Sequence, residues 1–230
     1  MQKVKLLTVG IIFIILSFGF MMLLFGTLNH ADAVAPIRVA CIGDSITQGS
    51  GYPAYLQELL GNNYTVGNFG VSGSAVLWKS EKPYVDQLAY WHAITYQPNI
   101  VVVMLGTNDA SAKNAQHIDD FTDDYMRLVY QLQSLRSNPQ IYLVDPPPIH
   151  NNTLNLSDSN LVQTVIPRIE DVAYRMNLTL INMHDALYDH PDYFADGVHP
   201  TAEGGELIAS TINNVINPPD LTNDSTPNYP

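Results

Sequence analysis

One cysteine in 230 residues, Cys41, excludes an internal disulfide framework and any all-cysteine metal site, since neither can be assembled from a single thiol. Basic residues are also scarce. Ten Lys+Arg stand against 22 Asp+Glu, and the resulting net charge of -12 leaves no electrostatic footprint for a nucleic-acid backbone. Internal repeats are absent as well. What remains is 46% hydrophobic and 14% charged, the composition of one globular domain held by an ordinary apolar core rather than of a disordered or collagen-like chain.

The apolar residues are unevenly spread. Lys3 and Lys5 precede a run from Leu6 to Leu28 that carries no charged residue, the pattern of an export or membrane signal. This run exceeds the ~7 to 15 apolar residues of a cleavable signal peptide and reaches the ~20 of a spanning helix, which favours an anchor. Ala31-Asp32-Ala33 favours cleavage, because it places small residues at the spacing a signal peptidase reads. Residues 1–33 are therefore read as a signal peptide or an N-terminal membrane anchor. In both cases the lysines stay cytoplasmic, the domain lies outside, and membrane contact is expected only through this segment. Asn63, Asn151, Asn155, Asn177 and Asn223 each begin a glycosylation sequon, read as chance in an Asn-rich chain. Residues 217–230 hold Pro218, Pro219, Pro227 and Pro230 without apolar periodicity and read as a disordered tail.

Between them, residues 34–216 alternate short apolar runs with helix-period segments. Ile37–Ile42, Tyr64–Phe69, Ile100–Leu105, Ile141–Val144 and Thr179–Asn182 read as strands. Pro53–Leu60, Tyr84–Tyr96, Ile118–Leu135, Leu161–Met176 and Ala202–Ile216 read as helices. This alternation predicts an α/β fold in three layers, a five-stranded parallel sheet with helices on both faces. Ile100 to Leu105 has no polar member, as a central strand buried on both faces requires. Ligands of such sheets bind at the carboxyl ends of the strands, so the informative residues should directly follow strands.

They do. The first strand runs into Gly43-Asp44-Ser45-Ile46-Thr47, the second into Gly70-Val71-Ser72-Gly73, and the third into Gly106-Thr107-Asn108-Asp109; Asp196-Gly197-Val198-His199-Pro200 precedes the last helix. An acyl-transfer site needs a nucleophile, a base, a group to hold the base, and donors for the oxyanion. Ser45, on a Gly-containing strand-to-helix turn, is the candidate nucleophile. His199 is the base, since imidazole can take the serine proton and return it to the leaving alcohol. Asp196 can fix the tautomer of His199 and stabilise its charged form. Each residue also has a plainer reading: Ser45 as a helix cap, Gly73 and Asn108 as turn residues chosen for positive φ. Asp109 reads as structural, bonding backbone near the site, and Cys41 as a buried inert thiol.

These four blocks in this order resemble the SGNH (GDSL) hydrolase family, over nearly all of Ile37 to Ile216. Asn68 to Lys82, Ile100 to Asp109, Tyr142 to Pro148 and Phe194 to Ala209 look most like its carbohydrate O-acetylesterases, the sialate and xylan acetylesterase-like branch. The resemblance implies a flavodoxin-like SGNH hydrolase fold and an oxyanion hole formed by the N–H groups of Ser45 and Gly73 with the Asn108 amide. No cofactor and no metal are expected.

Competing motifs are weaker. His184, Asp185, His190 and Asp192, with Asp196 and His199, invite a zinc reading, but their spacing matches no zinc helix motif. Gly49 to Ala54 resembles a dinucleotide fingerprint but lies beyond the strand, and Gly43 to Gly49 lacks the lysine of a phosphate loop. No Gly-x-Ser-x-Gly is present, which argues against the α/β-hydrolase fold. Pocket candidates are Asp44 beside the nucleophile, Trp78 and Tyr84 as surfaces for a sugar ring, and Pro147 within Pro146-Pro147-Pro148 as a stiff wall; Tyr90 and Trp91 read rather as helix residues. The expectation is an exported serine esterase acting on short acyl, chiefly acetyl, esters of a small molecule or glycan. Two alternatives stand beside it: a lysophospholipase or long-chain esterase with the same residues, and a non-catalytic carbohydrate-binding protein of the same fold. No long apolar lid insertion is visible, which favours the short acyl group.

Overall fold

The computed structural model describes residues 35–218; the expectations for segment 1–33 and for most of the tail fall on residues outside that range. Five parallel strands, β1 (Ile37–Gly43), β2 (Tyr64–Gly70), β3 (Ile100–Met104), β4 (Gln140–Val144) and β5 (Thr179–Ile181), form one sheet in the order β2-β1-β3-β4-β5. This is the flavodoxin-like order. The chain leaves β1 to one side for β2 and returns to the other for β3, and the crevice at that reversal lies outside the ends of β1 and β3.

Alternation along β3 assigns the two faces. Val101 and Val103 point into one core with Tyr90 and Ala93 of α3 (Leu88–Tyr96), Phe121, Tyr125 and Leu128 of α4 (Phe121–Gln133), and Ile169 and Val172 of α5 (Ile166–Met176). Val102 and Met104 point into the other with Leu56 of α2 (Tyr52–Leu60), Leu187 of α6 (Met183–Tyr188), and Ile208 and Ile212 of α7 (Ala202–Ile216). Each such side chain fully withdrawn from water contributes about 1.5 to 3 kcal/mol, which is why a strand with no polar face belongs at the centre. Among the described residues no helix is long and apolar enough to cross a membrane.

Helix boundaries depart from the periodicity where a tertiary contact overrules it. The expected helix Tyr84–Tyr96 is broken: Tyr84–Asp86 is a 3-10 turn after Pro83, Gln87 is extended, and only then does α3 begin. The cause is Tyr84, whose ring is buried and whose hydroxyl donates to the Phe69 carbonyl at 2.7 Å. The starts of the next two expected helices, Ile118–Asp120 and Leu161–Val165, are 3-10 and π turns leading into α4 and α5. Asn182, read as strand, caps α6 instead, in a reciprocal pair in which the Asp185 N–H donates to Asn182 Oδ1 at 2.9 Å and Asn182 Nδ2 donates to Asp185 Oδ2 at 2.7 Å. The first helix of the described residues, α1 (Ser45–Gly49), lies between β1 and α2 and is too short to show a period in the sequence.

Candidate active site

The site begins where β1 ends. A Cβ on Gly43 would collide with the Thr47 side chain and sit 2.7 Å from the Met104 carbonyl, so only glycine lets the Ser45–Gly49 helix fold back over the strand ends. Asp44 makes the turn. Its Oδ1 accepts the Ile46 N–H at 2.9 Å, so Asp44 is the cap of that helix and Ser45 is not. Burial pushes the Asp44 carboxyl up to about 6, opposed by its bonds from Ile46 and Thr107 and by the charge of His199. Asp44 is thus corrected from pocket wall to buried strut. Ser45, in the first helical position, is left with an N–H that has no intrahelical acceptor and a half-buried side chain free to face the crevice.

His199 reaches that side chain from the loop before α7. Phe194 and Pro200 bridge across the loop's base, the Ala195 N–H donates to the His199 carbonyl at 2.9 Å, and the His150 N–H donates to Gly197 at 2.7 Å. Inside the loop Asp196 Oδ1 accepts the N–H groups of Val198 at 3.0 Å and His199 at 2.8 Å, while Oδ2 lies 2.7 Å from His199 Nδ1. Burial raises the Asp196 carboxyl, but the side-chain and backbone bonds from His199 and the Val198 N–H outweigh it and hold the group down at about 2. An ionised Asp196 accepts the proton on Nδ1, which leaves the lone pair on Nε2, 2.9 Å from Ser45 Oγ. The arrangement can therefore draw the serine proton onto the ring.

Opposite lie candidate anion-stabilising donors. Gly73 has φ 77, a left-handed conformation that a side chain would strain. Among the described residues nothing accepts its N–H. Asn108 opens a 3-10 turn after β3, and its Nδ2 donates to the Ser74 carbonyl at 3.0 Å, with a longer 3.4 Å contact to Asp44 Oδ2. Ser45, Gly73, Asn108 and His199 all line one cavity of about 360 Å³. The loop carrying Gly73 is strapped from below by Asp109, whose two carboxylate oxygens accept the N–H groups of Val76 and Leu77 at 3.0 Å each. The structural reading of Asp109 is therefore correct. Burial pushes its carboxyl up to about 7, the two backbone donors notwithstanding.

The other pocket candidates are not brought here. The Trp78 ring lies under Arg127, with the guanidinium carbon 5.6 Å from the ring centroid, and the Trp78 backbone N–H donates to Asp124 Oδ2 at 2.9 Å. Tyr84 is core, as is Pro147, and neither lines the cavity. Beyond Pro148 the chain continues to Leu154 and Leu156, and these form the wall expected of the prolines. Tyr90 is buried with its hydroxyl on Gln131 at 2.6 Å, and Trp91 is exposed away from the cavity. The histidines of the zinc reading are used separately: His184 Nε2 lies 3.1 Å from Asp158, and His190 stacks on Tyr193 at 4.6 Å. Cys41 is buried in β1, and burial pushes its thiol up to about 12. Ser74, Leu154 and Leu156 carried no motif and were missed.

Known proteins resemble this chain in sequence and in fold. The profile of the GDSL-like lipase/acylhydrolase family matches residues 41–207. An acetylxylan esterase of Xylanibacter ruminicola is 33% identical over 202 residues, a match that takes in 76% of this chain and 42% of the relative, so the chain spans less than half of that protein's length. A GDSL esterase/lipase of Arabidopsis thaliana is 25% identical over 211 residues, 80% of each chain. In fold, a carbohydrate acetylesterase family member from Sinorhizobium meliloti superposes with a TM-score of 0.64 at 21% identity, over 78% of this chain and 97% of that one.

Proposed function

Because the chain belongs to the GDSL-like lipase/acylhydrolase family, we propose that it is a carboxylic ester hydrolase that removes short acyl groups, chiefly acetyl, from a carbohydrate, with Ser45 as nucleophile. The observation that carries this reading is the continuous run of contacts from Ser45 Oγ through His199 to Asp196, at 2.9 and 2.7 Å, on the wall of the cavity that Gly73 and Asn108 also line. As Ser45 Oγ bonds to the ester carbonyl carbon, His199 Nε2 takes its proton and the carbonyl electron pair moves onto oxygen. The N–H groups of Ser45 and Gly73 and the Asn108 amide receive that oxyanion. Collapse expels the alcohol, which leaves with the proton from His199, and water repeats the sequence on the acyl-serine. Asp196 stays ionised throughout and offsets the charge on the ring.

The carbohydrate acetyl ester draws on the acetylxylan esterase relative and on a cavity of about 360 Å³, room for a short acyl group. Export is part of the same proposal and rests on Lys3, Lys5 and the uncharged run Leu6 to Leu28. Rates on nitrophenyl acetate and nitrophenyl octanoate test the acyl assignment. The acetyl ester is expected to have the higher kcat/KM; a preference for octanoate would favour the long-chain esterase, and turnover of neither would favour a binding protein.

A further inference from the structure

Basic side chains are rare in this chain, so their placement carries information. After residue 5 there are three lysines, Lys79, Lys82 and Lys113, and two of them, Lys82 and Lys113, line the cavity that holds Ser45 and His199. Lys79 is paired with Asp120 at 2.9 Å and Lys113 with Glu81 at 3.3 Å. Lys82 has no carboxylate partner among the described residues. Its ammonium donates to the Ser72 carbonyl at 2.7 Å, a bond that fixes its position without cancelling its charge. The stem lies along the site: Lys82 Cδ is 3.8 Å from where a Cβ on Gly73 would be. The backbone is held too, since the Ala75 N–H donates to the Lys82 carbonyl at 3.0 Å and Ala75 pairs with Pro83. An ammonium has three donors, and one is spent on Ser72.

In a protein of net charge -12 the Lys82 cation is therefore pre-positioned in the cavity of the candidate nucleophile without a carboxylate partner, while Glu81, which lines the same cavity, is engaged by Lys113. We propose, building on the esterase reading above, that Lys82 selects esters whose alcohol part carries a carboxylate close to the acyl group, that is, an acetylated acidic sugar unit. An acetyl group is uncharged, so the anion must belong to the alcohol. Lys113, already paired with Glu81, contributes less. The competing account is that Lys82 only props the Ser72 carbonyl and thereby the Gly73 N–H, in which case its loss slows every ester alike.

The test compares three substrates on the full chain: an acetylated methyl glucoside, the matching methyl glucuronide in which the primary alcohol is a carboxylate, and the matching sugar phosphate. The wild type is expected to prefer the glucuronide over the glucoside in kcat/KM by about 5- to 50-fold, one charge-assisted hydrogen bond discounted for solvent exposure, with the difference mainly in KM. Lys82→Met should bring that ratio near one, and Lys82→Arg should restore most of it. Raising the salt from about 0.05 to 0.5 M should shrink the wild-type ratio. A wild-type ratio near one, a ratio that survives Lys82→Met, or an equal loss on both sugars would overturn the proposal. A Lys82-dependent preference for the phosphate alone would overturn the carboxylate assignment. If the wild type hydrolyses none of these esters but does hydrolyse nitrophenyl acetate, the acidic-sugar proposal fails and the esterase reading stands; if it hydrolyses nothing, both fall.

Discussion

Replacing Asn108 with alanine should damage chemistry far more than folding, and the structure sets the size of each effect. The amide nitrogen has two hydrogens. One is committed to the Ser74 carbonyl at 3.0 Å; the other has only Asp44 Oδ2 at 3.4 Å, beyond the usual N–H···O range, and is the one an oxyanion would draw. Loss of the Ser74 bond costs about 0.5 to 1.5 kcal/mol net, and in a domain of this size ~1 kcal/mol lowers Tm by about 2 to 4 °C, so Tm should fall by roughly 1 to 6 °C. Loss of the oxyanion donor should lower kcat by about 10² to 10³-fold, or roughly 3 to 4 kcal/mol. KM should change little, because the ground-state carbonyl is a weak acceptor and the tetrahedral oxyanion a charged one. Steady-state kinetics on nitrophenyl acetate and a thermal melt measure both. A raised KM with kcat intact would make Asn108 a binding residue, and a Tm drop above about 10 °C would make it a structural strut; either refutes the oxyanion role.

Asp196→Asn keeps an oxygen for the Val198 and His199 N–H groups but turns an amide N–H toward His199 Nδ1, so the ring proton moves to Nε2, where it cannot accept from Ser45. We expect kcat/KM to fall by about 10² to 10⁴-fold, the smaller figure applying if water reaches the Asp196 side chain, which is 48% exposed, and the melt at neutral pH to drop by only a few degrees, about 2 to 4 °C per kcal/mol lost. Asp109→Asn leaves one of two strapping N–H groups unpaired and should cost about 1 to 3 kcal/mol in chemical denaturation. The pH dependence of stability follows from the same carboxyls. Burial raises Asp109, Asp44 and Asp145, the last buried after β4 where it accepts the Met183 and His184 N–H groups, from 3.8 to about 7, 6 and 6, so the stability they contribute is complete below about pH 4 and is lost as pH rises through 6 to 7. Asp196 is lowered to about 2, so its contribution is present above about pH 4 and is lost as pH falls toward 2. Denaturation midpoints should therefore be highest near pH 4, and Asp109→Asn should flatten the decline above it; a midpoint that rises from pH 4 to 7 would contradict this.

What the sequence made legible was what local pattern or one motif per strand end can carry. Ile100 to Leu105 announced a central strand, and all but its last residue is β3. Ala202–Ile216 matches α7, because Thr201 caps it and its apolar residues keep a helical period. Ser45, Gly73, Asn108 and His199 line one cavity, since a parallel sheet brings every strand's carboxyl end to the same edge. Contacts made at long range were not legible. Tyr84 and Trp78 follow Gly73 in sequence and read as pocket aromatics, yet Phe69 and Arg127 hold them elsewhere. Leu154 and Leu156, in a loop without a motif, became the wall assigned to Pro147. Asp44 differed from a pocket carboxylate only in where its side chain turned, toward Ile46.

The central claim is that Ser45 is the nucleophile, and covalent labelling tests it most directly. A fluorophosphonate probe should form one adduct, on the peptide containing Ser45, and the adduct should be absent from Ser45→Ala. The same variant should lose at least about 10³-fold in ester hydrolysis while melting like the wild type. Labelling that persists in Ser45→Ala, or hydrolysis near the wild-type rate, would contradict the account.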